Sequence, residues 1–161
     1  MIRQTDKITL RTENLLEYTK EEFGVLNPQF KLVDAAAFFA DILPDFNNLA
    51  SEKNIEIQLL QHDKEIYICG DPDMIESIFT NVVENSIKFT PREGRVSITL
   101  SKNDGFAEVT VDDTGPGIPE KYRDYVLNPF IRQKTSSDNP GFGLGLSLVK
   151  SMAPCVNIDY A

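Results

Sequence analysis

Hydrophobic positions along the chain follow two periods, and the switches between them mark out elements. Residues 5–22, "TDKITLRTENLLEYTKEE", repeat at helical spacing but sparsely, with Ile8, Leu15 and Tyr18 on one stripe. Gly24 and the "NPQF" after it close this polar helix. A second helix is expected from Asp34, an N-cap ahead of "AAAFFADIL", with a kink or break at Pro44. "NIEIQLLQ" changes to alternation, Ile55, Ile57 and Leu59, and predicts a strand; "EIYICGD" predicts a shorter one. Asp71-Pro72 sets a capping acid before a proline, a strong helix start. That helix is expected to run to about Phe89, where Pro91 closes it. "RVSITLS" and "FAEVTVDD" predict two strands joined around Asn103-Asp104-Gly105, a hairpin signal. From Thr114 to about Pro140 the periodicity dissolves, apart from a short helix expected near residues 120–127. An irregular tract of that length is usually functional or disordered. A last helix is expected over about Gly145 to Met152, cut by Pro154, with "CVNIDYA" as a final short strand.

Composition narrows the class. The 161 residues suffice for one domain with a core, and 41% apolar with 25% charged residues is an ordinary globular balance. A formal charge of -9 argues against a general nucleic-acid binder, although local lysines or a metal ion could still hold a polyanion. Cys69 and Cys155 have neither ligand spacing nor a disulfide framework around them, which points to reduced thiols. No apolar run approaches the ~20 residues of a membrane span, and no signal peptide is expected. A cytoplasmic location is expected, with a membrane anchor left open for a longer protein. His62, in "LQHDKE", reads as a plain surface residue.

Three stretches carry candidate chemistry. In "DMIESIFTNVVENSIKF", Ile75, Ile78, Phe79, Val82 and Val83 fall on one side of a helix. Ser77, Asn81, Glu84, Asn85 and Lys88 fall on the other, within about a third of the circumference. A solvent face would have that polarity. Asparagine, however, is a poor helix former, and two of them four apart in a helix interior bring no structural return. Amide oxygens suit a hard cation and lysine suits a phosphate. Site and solvated face both remain open on these residues alone.

In "EVTVDDTGPGIP", Val109, Val111 and Asp113 share one strand face, so Asp113 stands at the lip of an apolar layer. A carboxylate there needs a donor. It could be the exocyclic amine of a base such as adenine, with Gly115-Pro116-Gly117 letting a flat ligand approach, or simply the residue's own loop. In "GFGLGLSLVK", Gly141, Gly143 and Gly145 leave backbone N–H groups unshielded at the start of a helix, which attracts anions. The alternative is a flexible linker, but Leu144, Leu146, Leu148 and Val149 follow at once and must pack. In this order the stretches offer metal and phosphate ligands, a base reader and a phosphate cradle, with a loop between that could act as a lid. Together they describe a nucleoside triphosphate site.

The wording of these stretches resembles a known family. "NVVENSIKFTP", "DDTGPGIP", "NPFIRQ" and "GFGLGLSLVK" are similar, in order, to the N, G1, F and G2 boxes of sensor histidine kinases in the GHKL superfamily. The resemblance covers roughly residues 34–150. It implies the Bergerat ATP-binding fold, an α/β two-layer sandwich with a mixed sheet backed by helices. It implies ATP and Mg²⁺ as cofactors, with Asn85 as metal ligand and Asn81 close to the metal and its waters. Lys88 would meet a phosphate oxygen and Phe89 would lie near the sugar or base. Asp113 would accept from the adenine amine in a pocket shaped by Gly115 and Gly117. Phe130 and Arg132 would belong to the lid, with Arg132 a candidate for the γ-phosphate. Gly141, Gly143 and Gly145, with Leu144 among them, would wrap the phosphate chain.

Asn81 refines the reaction. Hydrolysing relatives such as DNA gyrase carry a water-activating glutamate at that position, and an amide is a poor base. Phosphoryl transfer is therefore favoured over hydrolysis, with Asn81 and Arg132 as catalytic candidates and Glu84 as a polar helper whose role stays open. The family's acceptor histidine sits on a dimerising hairpin. Residues 1–30 look like the end of that hairpin's second helix and a linker, without the first helix and its histidine; His62 lies in the wrong context. Residues 31–161 form the expected ATP-binding domain, shortened after Lys150 relative to the family pattern. The expected function is phosphoryl transfer from Mg-ATP to a histidine on a separate hairpin domain, with a response regulator as an indirect partner. Homodimerisation through the N-terminal helix or an open sheet edge is also open. The alternatives are a pseudokinase-like regulatory module that binds nucleotide, and a serine kinase of the anti-sigma type; the hairpin-like start argues against the last.

Overall fold

The computed structural model describes residues 28–123, 125–128 and 145–155. The expected helix over residues 5–22 and the expected strand beyond residue 155 lie outside them. The described elements are β1 (Lys31–Asp34), α1 (Ala35–Ser51), β2 (Glu56–Gln61), β3 (Tyr67–Gly70), α2 (Pro72–Phe89), β4 (Arg95–Asn103), β5 (Phe106–Asp113), α3 (Glu120–Arg123) and α4 (Gly145–Cys155). Among them no helix is long and apolar enough to cross a membrane.

Both capping acids act as expected. Asp34 accepts from the N–H of Ala37, and Asp71 accepts from the N–H groups of Asp73 and Met74, with Pro72 opening α2. Pro44 does not break its helix. α1 is continuous through it, and both Pro44 and Ala40, whose carbonyl loses a partner, are exposed, so water can replace the missing bond. Pro154 likewise lies inside α4, which continues to Cys155 rather than stopping at Met152. A proline this close to a helix end removes only one backbone hydrogen bond. Cys155, expected to open a strand, ends this helix.

The strands form two sheets. β1 pairs antiparallel with β3, and β2, β4 and β5 form a mixed sheet in the order β2-β4-β5. β2 runs parallel to β4, with Ile57 opposite Val96, and α2 lies in the crossover between them. β4 and β5 form the expected hairpin, closed at Asn103–Phe106 by Asp104 and Gly105 at φ 50° and 87°. β1 had no clear sequence signal: four residues long, it leaves Leu32 exposed.

Helices α1 and α2 pack on the mixed sheet. Ala35, Phe39, Phe46 and Ala50 of α1 meet Ile75, Phe79, Val83 and Ile87 of α2 and Val96, Ile98 and Leu100 of β4 in one core. Phe39 lies edge-on to Phe79 with ring centroids 4.9 Å apart. Ile57 and Leu59 of β2, and Val109 and Val111 of β5, pack against its margin.

Candidate nucleotide-binding site

The apolar side of α2 is not one stripe but two neighbouring rows. Ile75, Phe79, Val83 and Ile87 face the main core, while Met74, Ile78 and Val82 pack with Leu148, Val149 and Met152 of α4 in a second cluster. Each row follows the i, i+4 spacing of a helix surface. The polar row Ser77, Asn81, Asn85 runs beside the second of them. Docking α4 on that row therefore brings its first turn up to the two asparagines.

Gly145, the first residue of α4, makes this contact. A Cβ there would sit 2.8 Å from Asn81 Oδ1 and 3.6 Å from Asn85 Nδ2, so any side chain would be forced against Asn81. Asn81 is fixed from the other end: its Nδ2 donates to the Ser77 carbonyl at 2.8 Å, which leaves Oδ1 turned to Gly145. Asn81, Asn85 and Lys88 are half-buried. Lys88 Nζ lies 5.2 Å from the ring centre of Phe89, a partly exposed side chain. Glu84 keeps an exposed edge, yet the protein around it pushes its carboxyl pKa up by desolvation, with the Lys88 charge pulling the other way. Water still reaches that carboxylate, which limits the shift.

The other end of α2 meets the loop after β5. Asp113 is exposed, and its Oδ1 accepts from the N–H of Gly115 at 2.8 Å. It caps its own loop, one of the two roles open for it, and its second oxygen remains for a further donor. A Cβ on Gly115 would lie 2.6 Å from that Oδ1 and 3.2 Å from the Phe89 carbonyl oxygen, so the loop can rest on the end of α2 only with glycine there. Gly117 has φ 67°, the left-handed region in which glycine carries no Cβ penalty. Thr114 anchors the loop: its N–H donates to the Arg95 carbonyl and its Oγ1 accepts from the Arg95 N–H.

The structure thus brings Asn81, Asn85 and Gly145 together at one point along α2, and Phe89, Asp113 and Gly115 at another. About 12 Å of helix separates residue 81 from residue 89. Phe130, Arg132, Gly141, Gly143 and Leu144 lie outside the described residues. Two contacts went unforeseen. Lys150 of α4 donates to Asn128 Oδ1 at 3.4 Å, tying α4 to the first residue of "NPFIRQ". Lys53 Nζ donates to backbone carbonyls at the end of α2. Neither contact leaves a mark in local sequence, because each joins residues distant along the chain. His62 is exposed, as expected.

Among the described residues no group of three His, Cys, Asp or Glu side chains is placed to hold a metal ion. The donors at hand are the amides of Asn81 and Asn85, neutral and oxygen-bearing. They suit a hard cation that takes its remaining ligands from phosphate and water.

Comparison with known proteins gives the family. Residues 70–156 match the family described as histidine kinase-, DNA gyrase B-, and HSP90-like ATPase. The chain is 33% identical over 145 residues to hybrid signal transduction histidine kinase D of Dictyostelium discoideum, covering 85% of this chain and 9% of that protein. Its fold is similar to that of a mycobacterial sensor histidine kinase, MprB, with TM-score 0.69 and 30% identity over 80% of this chain and 81% of that one. It is also similar to full-length ShkA in complex with AMPPNP, with TM-score 0.82 and 25% identity over 94% of this chain and 32% of that one. The chain spans less than half the length of the curated relatives it matches.

Proposed function

This chain belongs to the family of histidine kinase-, DNA gyrase B-, and HSP90-like ATPases, as the ATP-binding catalytic domain of a sensor histidine kinase, and from that premise we propose that it binds Mg-ATP and passes the γ-phosphoryl group to a histidine on a separate dimerisation hairpin. The observation that carries this reading is the pair of glycine contacts on α2. Gly145 meets Asn81 and Asn85 at one, and Gly115 meets Phe89 at the other. A nucleotide laid along the helix spans the two.

In this reading Asp113 accepts from the adenine amine through the oxygen that Gly115 does not take, and Gly117 turns the loop away from the base. Phe89 packs against the sugar or base, and Lys88 meets a phosphate oxygen. The N-terminus of α4, with Gly145 and the preceding Gly141, Gly143 and Leu144, receives the phosphate chain. Asn85 and the Oδ1 of Asn81 are the residues that would hold Mg²⁺, which when bound neutralises phosphate charge. Asn81 orients and does not abstract a proton; Arg132 is assigned to the γ-phosphate and Phe130 to the lid. The protein's contribution is positioning and electrostatic stabilisation. Residues 31–161 are assigned to this Bergerat-type domain and residues 1–30 to the end of the hairpin. A response regulator would receive the phosphoryl group from the histidine, in the cytoplasm.

The test is direct. The chain is mixed with a hairpin domain bearing its histidine and with Mg-ATP, and acid-labile phosphohistidine is measured. Labelling that disappears when the hairpin histidine is replaced is the expected result. Tight nucleotide binding with no labelling of any hairpin would instead make the chain a regulatory nucleotide-binding module.

A further inference from the structure

We infer that Lys53 is a positioning residue for the nucleotide site: its ammonium holds the last turn of α2, and through that turn sets Lys88, Phe89 and the loop that rests on them. The inference depends on the nucleotide-binding reading above.

The need for Lys53 starts with Pro91. A helix leaves its last carbonyls without partners. In α2 the Thr90 N–H takes the Ser86 carbonyl at 2.9 Å. The next acceptor, the Ile87 carbonyl, would look to residue 91, and a proline has no N–H to give. Lys53 Nζ supplies the donors, at 3.0 Å to the Ile87 carbonyl, 2.6 Å to Lys88 and 3.1 Å to Thr90. An ammonium has three N–H groups, and these carbonyls use all of them. A cation here also lies at the negative end of the helix dipole. Among the described residues no carboxylate lies within ion-pair distance of Lys53, so its charge serves the helix end alone.

Lys53 is itself held on both sides. Its N–H donates to the Ala50 carbonyl at 3.0 Å, closing α1, and its own carbonyl accepts from Glu93 at 3.0 Å. Glu93 has φ 62°, a left-handed conformation that a residue with a Cβ adopts only when its surroundings hold it. One residue therefore grips the α2–β4 connection twice, by side chain and by backbone. Burial lowers the Lys53 pKa first and the Arg92 charge lowers it further, as befits a cation set into the protein for its hydrogen bonds.

The consequence for the site follows from which carbonyl Lys53 leaves alone. Phe89 O is the one that Gly115 approaches. Lys53 takes its neighbours on both sides, Lys88 and Thr90. The turn that carries a phosphate-directed lysine and supports the base-reading loop is thus fixed by a residue more than thirty positions earlier in the chain.

A merely stabilising cap would act on folding and leave the site untouched, which a double-mutant cycle separates. Mg-ADP is titrated by calorimetry into the full 161-residue chain as wild type, Lys53→Met, Lys88→Ala and the double variant. Asp34→Ala, which removes a cap remote from the site, serves as the stability control. Lys53→Met is expected to weaken Mg-ADP about tenfold in the wild-type background but no more than about twofold once Lys88 is gone. Asp34→Ala lowers the melting temperature and keeps its affinity, and Lys53→Arg, which retains a cationic donor, recovers part of the loss. Should Lys53→Met fail to fold, Lys53→Gln is carried through the same cycle. Unchanged affinity in the folded variant, or an equal loss with and without Lys88, overturns the inference. A wild-type chain that does not bind Mg-ADP overturns the site reading itself.

Discussion

At the proposed base end of the site, Asp113 and Gly115 continue directly from β5, which is paired residue for residue with β4, the strand whose Val96, Ile98 and Leu100 are fully buried. At the phosphate end, Gly145 stands on α4, which joins the described body through Leu148, Val149 and Met152 against a single row of α2. The first end belongs to a core of two helices and a sheet; the second is a helix docked on its flank. On the proposed reading, the base-reading end is therefore built into the global fold, whereas the phosphate end rests on a docked helix and is expected to open at a lower free-energy cost than the sheet.

The largest effect that could break this comparison comes from truncating equivalent leucines, both fully buried, in the two regions. Leu100→Ala in β4 should cost about 2–5 kcal/mol of global stability in urea unfolding and leave no region protected. Leu148→Ala removes the same atoms but should act locally. Hydrogen exchange is expected to accelerate in α4 while β4 amides keep their protection, and Mg-ADP affinity should drop severalfold. Equal acceleration in both elements would mean that α4 and the sheet form one cooperative unit.

The smallest effect concerns Glu84, which lies between the two ends on α2. Its carboxyl pKa is raised by desolvation above the ordinary 4.5. The folded chain thus keeps this proton to higher pH than the unfolded chain. Between the ordinary and the raised value the folded state binds more protons, so stability falls as pH rises. The cost is complete above the raised value and absent well below 4.5. Glu84→Gln should raise the melting temperature slightly at neutral pH and leave it unchanged near pH 3. A rise of equal size at both would place the cause in packing rather than in ionisation.

Legibility in the sequence followed the range of the interaction. Asp34 and Asp71 could be assigned as caps because each bonds N–H groups two or three residues away. Asp104-Gly105 could be assigned as a hairpin because its turn needs two positive φ angles in a row. The prolines were harder. Pro44 and Pro154 carry the same local signal as a helix stop, yet both helices run through them, one at an exposed position where water can take the freed carbonyl and the other one residue from the helix end. On α2 the apolar side was legible, but its division between sheet and α4 was not, since both rows look alike until a partner is docked. Lys53 had no local signal at all; a lysine after a helix reads as solvated surface, and only the folded chain brings it to the carbonyls before Pro91. The asparagine row had even readings by itself, and the contact of Gly145 with Asn81 and Asn85 is what favours the site over a solvated face.

Asp113 is the residue on which the proposed nucleotide site depends most directly. Its Oδ1 is engaged by Gly115, so only its second oxygen is left for the adenine amine. In Asp113→Asn the amide oxygen can keep the Gly115 bond, but the group then turned to the base is an NH₂, donor against donor. Calorimetric titration of Mg-ADP into wild type and Asp113→Asn should show saturable binding that weakens at least thirtyfold, roughly a lost charge-assisted hydrogen bond, with an unchanged melting temperature. Equal affinity in the two proteins would contradict the assignment of this loop as the base reader.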